Sequence, residues 1–288
     1  MSDWVLGVIG GSGLYDIPGL NGVWRAIESP WGQASDQIFD GELDGQRVVF
    51  LPRHGRGHAI APSDINGRAN IDVLKRAGVT DVLSISAVGS LKAELPPGHF
   101  VVVDQYIDRT FARAKSFFGK GLVAHVSVAH PTCPRLRALA GEAARRIGAQ
   151  VTEGGTYVVM EGPQFSTLAE SQLYRSWGCS VIGMTNMPEA KLAREAELPY
   201  ASICMVTDYD CWNEGHGAVE VSAIIEVMHA NSAKAKHLVA ELARAIKTIP
   251  RTPSPIDTCL DFAVITEPEA RDLELVKKLS AIAGRVLN

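Results

Sequence analysis

Residues 201 to 212 read Ala201-Ser-Ile-Cys-Met-Val-Thr-Asp-Tyr-Asp-Cys-Trp212, an apolar run that ends in two carboxylates, Asp208 and Asp210. The small, apolar and β-branched residues before Asp208 predict a buried strand. In open α/β sheets ligands bind beyond the carboxyl ends of strands, where a partly buried Asp can keep its proton near neutral pH and donate it. The alternative is that Asp208 caps the next helix and Asp210 is a solvated turn residue.

Runs with strand character alternate with runs of helical character along the chain, which predicts an α/β fold with a central sheet. The other predicted strands are Val5–Ile9, Val48–Leu51, Val82–Ile85, Phe100–Val103, Thr156–Met160 and Val181–Met184. The predicted helices are Ser63–Ala77, Arg135–Ile147, Thr167–Trp177, Pro188–Glu197 and Val221–Ile246.

The composition excludes several classes of protein. The 288 residues are 46% hydrophobic with a net charge of −4, so nucleic-acid or anionic-membrane binding is not expected. The longest apolar runs have strand length, so we expect no membrane span. Five scattered cysteines and a start without a basic-then-apolar leader predict reduced thiols in a cytoplasmic protein.

The composition changes at residues 249–255, where three of seven residues are proline. We therefore divide the chain into a domain of residues 1–248 and a C-terminal arm of residues 249–288. Thr266 and Glu269 have the spacing of a capping box and predict one helix to about Val286. Such a short arm cannot form a core of its own, so we expect it to pack on the same domain or on a neighbouring subunit.

Gly10-Gly-Ser-Gly13 follows the first strand and predicts a tight turn. Glycines let the backbone approach an anion, and Ser12 adds a hydroxyl donor. A purely structural turn is an equal alternative. A dinucleotide fingerprint is excluded, because it requires glycine where Asp16 stands.

Arg53-His-Gly-Arg-Gly-His58 follows the second strand and suits phosphate, since Arg53 can bind an oxyanion through two parallel N–H groups. A metal site at His54 and His58 is the alternative. Their spacing joins two ligands on a helix, and the intervening glycines make a helix improbable. We therefore expect no metal.

Two more small-residue segments follow predicted strands, Ser86–Ser90 and Met184–Met187. Taken together, Ser12, Arg53, His54, Ser86 and Thr185 are neutral or cationic groups suited to one oxyanion. A phosphate site that faces a carboxylic acid is what phosphorolysis of a glycosidic bond requires. Phosphate attacks the sugar carbon on one face while the acid assists the leaving base.

Glu161-Gly-Pro-Gln-Phe-Ser166 follows another predicted strand. Phe165 can stack on a flat base and Ser166 can hydrogen-bond its edge. Phe165 as a core residue is the equal alternative.

Seven segments in this order resemble the purine nucleoside phosphorylase superfamily, and most closely its S-methyl-5′-thioadenosine phosphorylase branch. The resemblance spans about residues 4–247, and it weakens beyond Ile249. Ser12 and Ser86 stand where the family often has threonine, which keeps the hydroxyl. The segments are Ile9–Leu14, Arg53–Gly55, Ala87–Ser90, Asp104–Thr110, Glu161–Ser166, Gly183–Glu189 and Thr207–Trp212.

The resemblance implies a single α/β domain around a mixed, partly barrel-like sheet, assembled as a trimer. It implies that phosphate contacts Ser12, Arg53, His54, Ser86, Ala87 and Thr185. It implies that the nucleoside contacts Met184, Asp208 and Asp210, with Ser166 and Val221 at positions tied to substrate preference.

The activity that the resemblance implies is phosphorolysis of 5′-methylthioadenosine to adenine and 5-methylthioribose 1-phosphate, a step of purine and methionine salvage. Asp208 would protonate the leaving purine, and no metal or organic cofactor would take part. A phosphorylase for 6-oxopurines or a broader range of nucleosides is the nearest alternative. A hydrolytic nucleosidase, a nicotinamide-dependent oxidoreductase and a non-catalytic nucleotide-binding module are further alternatives.

Overall fold

The fold is taken from a computed structural model, which describes residues 4–11, 13–14, 16–213 and 221–287, the first four residues of the last range by their main chain alone. Its strands are β1 Leu6–Gly10, β2 Leu20–Arg25, β3 Ile38–Leu43, β4 Gln46–Pro52, β5 Asp81–Ser90, β6 Phe100–Val102, β7 Gln105–Asp108, β8 Val151–Glu153, β9 Thr156–Val159, β10 Val181–Gly183 and β11 Tyr200–Asp208. Its α-helices are α1 Gly67–Arg76, α2 Pro134–Arg146, α3 Leu168–Ser176, α4 Asn186–Glu195, α5 Val221–Lys247, α6 Leu273–Lys278 and α7 Ser280–Leu287.

The strands form one mixed sheet that branches at β5. One path runs in the order β2-β3-β4-β1-β5-β10-β9-β7, and β11 pairs with β5 and continues to β6 and β8. The β1, β4, β5 and β11 strands are mutually parallel, whereas β10 runs antiparallel to β5. A sheet that branches in this way is curved rather than open, as the expected mixed and partly barrel-like architecture requires.

One edge of β5 changes partner part-way along the strand. β1 pairs with β5 as far as Ile85, and β10 begins to pair at Gly89. On that edge none of the described strands pairs with the three residues between them, Ser86 to Val88. The opposite edge pairs with β11 from Val82 to Gly89, with a register shift between Val206 and Asp208, so β5 keeps a neighbour on one side while the other side is left open.

Apolar residues fill both faces of the sheet. Successive residues of β11 point to opposite faces, because strand side chains alternate. Tyr200, Cys204 and Val206 belong to a core shared with α1, α4 and α7. Ala201, Ile203 and Met205 belong to a second core shared with α2 and α5. The expected α/β fold class is therefore confirmed, with helices on both sides of a mixed sheet.

The segment Ser86–Ser90 is not the turn that its small residues predicted. It forms the second half of β5, with Ser86, Val88 and Ser90 buried. Small residues fit here because β11 covers one edge of β5, Ser86, Val88 and Ser90 are buried on one face, and Ala87 faces open space on the other.

The arm does not contain the single helix predicted from Thr266. The chain forms a short 3₁₀ turn, and α6 then begins after Asp272, whose side chain accepts hydrogen bonds from the N–H groups of Glu274 and Leu275. α7 follows after Leu279, so two short helices stand where one was predicted. The capping box was wrong because Asp272 supplies a stronger cap closer to the apolar residues.

The arm packs against the rest of this chain. Leu279, Ile282 and Ala283 are buried in the core that contains α1. Earlier in the arm, Arg251 donates to the fully buried Asp81 (Nε–Oδ2 2.6 Å). No helix of the described ranges is both long and apolar enough to cross a membrane.

Candidate active site

Two parallel strands, β1 and β4, end beside the middle of β5 around a cavity of about 100 Å³. Gly10, Pro52 and Ile85 lie side by side in the registers of β1, β4 and β5, so the residues that follow them face the same space. The cavity is lined by Gly11, Leu14, Arg53, His54, His58, Ile85, Ser86, Ala87, Thr185, Met205, Met228 and Ser232.

The glycine turn after β1 passes close beneath α5. Gly13 has a φ of +105°, and a Cβ atom there would lie 2.7 Å from Ser232 Oγ. Glycine is therefore required at this position by both backbone conformation and space. Ser12, which the sequence predicted as a phosphate ligand, lies outside the described residues.

Arg53 reaches the cavity, but its charge is paired with Glu189. Arg53 Nε lies 2.9 Å from Glu189 Oε2, and Nη2 lies 3.2 Å from Oε1. Both side chains are buried. The two parallel N–H groups that the sequence assigned to phosphate are thus directed at Glu189. Arg53 contributes a neutralised pair to the cavity wall rather than a free cation.

His54 is a neutral, hydrogen-bonded ring. Its Nδ1 lies 2.8 Å from the carbonyl oxygen of Ile60, and a carbonyl accepts only, so Nδ1 carries the proton. Burial and the nearby charge of Arg53 lower the pKa of His54 to about 4. Nε2 therefore holds a lone pair at neutral pH and accepts a hydrogen bond, for instance from the P–OH group of hydrogen phosphate. His54, which was expected to bind the oxyanion, therefore presents an acceptor at Nε2.

The Ser86 and Thr185 hydroxyls meet at the cavity wall, with 2.9 Å between their oxygens. Ser86 Oγ donates to Asn186 Oδ1 at 2.8 Å, so Thr185 is the donor to Ser86. The Asn186 amide nitrogen donates to Tyr106 Oη (3.0 Å) and Ser202 Oγ (2.6 Å), which fixes the orientation of the amide. One buried amide thus holds both hydroxyls at the site.

Ala87 borders the cavity, and Met184 directly precedes the lining residue Thr185. Ala87 lies within β5 and is nevertheless exposed, because its side of the strand faces the open space. Met184 follows β10 and packs on Gly162, where a Cβ atom would lie 2.5 Å from the Met184 sulfur. Glycine at position 162 therefore leaves room for the Met184 side chain.

Asp208 ends β11 and is largely buried. Its Oδ1 accepts from the Asp210 N–H and its Oδ2 from the Thr207 hydroxyl, both at 2.7 Å. Burial nevertheless raises the pKa of Asp208. Gly89 makes room for the carboxylate, since a Cβ atom there would lie 3.1 Å from Asp208 Oδ1. The bond to Asp210 is the local turn contact that the capping alternative foresaw.

Asp210 begins a 3₁₀ turn and is 8% exposed, with a φ of +52°. Burial, followed by the charge of Asp208, raises its pKa. Its Oδ2 is buried, and no described residue donates to it in good hydrogen-bond geometry, although the Ser171 side chain lies close enough to lower the pKa of Asp210. Buried carboxylate oxygens normally have partners, so this one offers an acceptor to a ligand.

The anion cavity and the carboxylates are joined by one pair of strands. Ser86 on β5 pairs with Cys204 on β11, and three residues later Gly89 pairs with Asp208. Three residues of strand span about 10 Å. Two chemically opposite groups therefore lie at a fixed separation of about the length of a small ligand.

The segment Glu161–Ser166 lies beside the Asp210 turn, since the Cys211 thiol donates to the carbonyl oxygen of Ser166 at 3.4 Å. Phe165 is 56% exposed, so it is a surface residue rather than part of the core. Val221 opens α5, and its side chain lies outside the described part of the chain.

Comparison with known proteins identifies the family. Residues 5–244 match the phosphorylase superfamily. The chain belongs to this superfamily.

Relatives within the superfamily match over nearly their whole length. An S-methyl-5′-thioadenosine phosphorylase of Cereibacter sphaeroides is 61% identical over 98% of this chain and 98% of its own. One of Bradyrhizobium diazoefficiens is 61% identical over 100% and 99%. A crystal structure of a methylthioadenosine phosphorylase from an antarctic soil metagenomic library is 43% identical, with a TM-score of 0.92 over 98% and 99% of the two chains.

Sequence reasoning missed three buried residues of this phosphorylase site. Glu189 and Asn186 lie in a segment that was quoted for the resemblance, yet they were assigned no role. Arg113 lies in none of the quoted segments, and it donates to the carbonyl oxygens of Met184 (2.6 Å) and Glu161 (2.7 Å). The available signal for Asn186 was its place shortly after a predicted strand; Glu189 and Arg113 had none.

A larger cleft of about 670 Å³ lies between residues 26–37 and 55–60. Its Asp36 and Arg56 already pair with each other at 2.8 Å, so this pair offers no free charge to a ligand in the cleft.

His54 and His58 stack with their ring centres 4.2 Å apart. Within the described ranges, no group of three or more His, Cys, Asp or Glu residues is placed to hold a metal ion.

We expect His54 to stay neutral, with its proton on Nδ1, from pH 8 down to about pH 5, because burial and Arg53 lower its pKa to about 4. Ring nitrogen shifts of ¹⁵N-histidine-labelled protein in phosphate-free buffer measure this, with His54→Gln used to assign the signal. A titration midpoint above pH 6, or a proton on Nε2, would contradict the assignment.

Proposed function

We propose that this chain catalyses the phosphorolysis of 5′-methylthioadenosine to adenine and 5-methylthioribose 1-phosphate. The observation that carries the proposal is the spacing on β5 and β11, which sets the donors Ser86 and Thr185 about 10 Å from the Asp208 carboxyl. Phosphate, a sugar and the near edge of a purine fit between groups so spaced. The names of the relatives within the superfamily support the same activity.

The phosphate end of the site supplies hydroxyl groups and the unpaired edge of β5. Thr185 and Ser86 can turn their hydroxyls from each other and from Asn186 towards an oxyanion. His54 Nε2 accepts from the P–OH group. With the dianion held below the sugar, its oxygen approaches C1′ as the glycosidic bond lengthens, and the sugar becomes oxocarbenium-like.

The purine end supplies a proton and an acceptor. Asp208, whose pKa is raised by burial, donates its proton to N7 as the base leaves, which avoids release of an adenine anion. The unpaired Oδ2 of Asp210 accepts a hydrogen bond from the 6-amino group. A 6-oxopurine has no N–H at that position, so the carboxylate pair favours 6-aminopurines over the alternative.

The remaining predicted residues shape the nucleoside pocket in this proposal. Met184 lies against the ribose, the exposed Phe165 covers the base, and Ser166 and Val221 tune substrate preference. The chemistry is complete with inorganic phosphate as co-substrate, and we propose no metal and no organic cofactor. Five free cysteines accord with a reducing compartment, and we propose the cytoplasm.

The reaction class is tested by phosphate dependence. Adenine release from methylthioadenosine should require phosphate, follow its concentration to saturation, and yield one sugar phosphate for each adenine. Adenine release at full rate in phosphate-free buffer would indicate a hydrolase instead. Binding of the nucleoside without any cleavage would indicate a non-catalytic module.

Replacement of Asp208 tests the proton donor. Asp208→Ala should lower kcat/KM for methylthioadenosine by about 10²–10⁴-fold, the usual contribution of general acid catalysis. For the wild type, kcat/KM should fall as the pH rises through the raised pKa of Asp208, because the protonated form is the active one. The Asp208→Asn variant should lose this pH dependence and favour methylthioinosine relative to methylthioadenosine, since an amide can donate to O6.

The matched control is Asp261→Asn, which removes a partly exposed carboxylate in the arm. It should leave both substrates and the pH profile unchanged. A rate and a preference like those of the wild type in Asp208→Asn would remove Asp208 from the mechanism.

We propose further that the chain assembles as a homotrimer. The apolar residues of the arm helices do not support a trimer, because Leu279 and Ile282 pack inside the same chain. Support comes from exposed apolar residues around the contact between residues 123–124 and 264–265, where Phe262 is 97% and Ile265 59% exposed. Contiguous apolar surface of this kind is typical of an interface.

Light scattering during size exclusion at micromolar concentration should give three times 30.9 kDa. Phe262→Asp with Ile265→Asp should shift the mass towards the monomer while the far-ultraviolet circular dichroism stays unchanged. A monomeric mass for the wild type would exclude the assembly.

A further inference from the structure

We propose that Glu189 is a positioning residue that sets how tightly the site binds phosphate, by cancelling the charge of Arg53 from behind the cavity wall. The inference rests on the proposed function, since it assigns a role within the same phosphate site. Glu189 does not line the phosphate cavity; it lines a small cavity on the far side of Arg53.

The charge of Glu189 is fully committed to this pair. Its two oxygens accept from Arg53 Nε and Nη2 at 2.9 and 3.2 Å, and Oε1 also accepts from the Tyr200 hydroxyl at 2.7 Å. Arg53 is 2% and Glu189 7% exposed. At such burial solvent screens the pair weakly, so removal of one charge leaves the other almost uncompensated.

The position of Arg53 does not depend on Glu189 alone. Its Nη1 donates to the carbonyl oxygen of Ile85 at 2.9 Å, and its Nη2 donates to the Ser84 hydroxyl at 2.7 Å and to Ile9 O at 3.2 Å. Three neutral acceptors from two strands therefore hold the guanidinium in place. Glu189 can therefore lose its charge without displacing Arg53.

The rest of the described phosphate wall includes His58, the neutral ring of His54, and hydroxyl or backbone groups of Ser86, Ala87 and Thr185. Apart from His58, a dianion in the cavity thus meets neutral groups and a cancelled ion pair. We infer that the pair keeps phosphate affinity moderate, so that a sugar phosphate, which carries the same dianion, leaves readily.

The test is Glu189→Gln, which removes the charge and keeps the shape. The Gln oxygen can accept from Arg53 Nε, and its amide nitrogen can donate to the Tyr200 hydroxyl. The dissociation constant of inorganic phosphate, measured by calorimetry on the unliganded enzyme, should fall at least tenfold, because at an effective dielectric constant near 20 an uncompensated unit charge within about 12 Å of another changes binding by a factor of ten or more. The constant for sulfate should fall in parallel, and so should the KM for phosphate.

The matched control is Glu197→Gln. Glu197 is also a buried glutamate paired with an arginine, Arg285, but it lies in the arm contact away from the cavity. It should leave phosphate affinity unchanged. Tyr200→Phe removes a hydrogen bond to Glu189 without a change of charge, and it should alter phosphate affinity by less than about threefold.

The outcomes separate this inference from the proposed function. Weaker or unchanged phosphate binding by folded Glu189→Gln, with normal binding by the wild type, would overturn the inference alone. A wild type that neither binds nor requires phosphate would overturn both.

If Glu189→Gln does not fold, Arg53→Gln combined with Glu189→Gln replaces the pair by two neutral groups. Phosphate affinity within about threefold of the wild type would then support charge cancellation. A loss of more than about tenfold would overturn it, because the Arg53 charge would then be acting on phosphate despite Glu189.

Discussion

The change of partners along β5 is the constraint on which the site depends. Pairing with β1 stops at Ile85 and pairing with β10 starts at Gly89, so no described strand pairs with this edge of β5 over three residues. The opening would be costly in an ordinary core, because buried backbone groups need partners. It becomes useful where a ligand with many acceptor oxygens takes the place of the missing strand. The branching of the sheet at β5 therefore creates the anion site.

The charged groups at the two ends of the site are arranged differently. Arg53 and Glu189 neutralise each other inside the wall, whereas Asp208 and Asp210 are two carboxyl groups set side by side. The first arrangement leaves the phosphate end close to neutral. At the purine end, burial raises the pKa of both carboxyl groups, and the charge of Asp208 raises the pKa of Asp210 further, so that a proton is retained there.

The sequence was most informative about the strands and the groups that follow them. An apolar run leading into Asp208 predicted its position at a strand end, and the alternation of runs predicted the fold class. The sequence did not predict contacts between residues that lie far apart along the chain. Glu189 lies 136 positions after Arg53, so the sequence did not indicate that the two charges are paired. Likewise, nothing local shows that Asp272 rather than Thr266 caps the last helices, or that Ser86 continues a strand.

The Asn186 amide has a consequence for the heat of ligand binding. In the empty site its oxygen already accepts the Ser86 hydroxyl, and Ser86 in turn accepts that of Thr185. When an anion arrives, these hydroxyls exchange one acceptor for another, and the number of bonds they make stays the same. Part of the enthalpy of the new bonds to the anion is then offset by the bonds that break within the site. The heat of phosphate binding is accordingly smaller than the number of bonds between these hydroxyls and the anion would suggest.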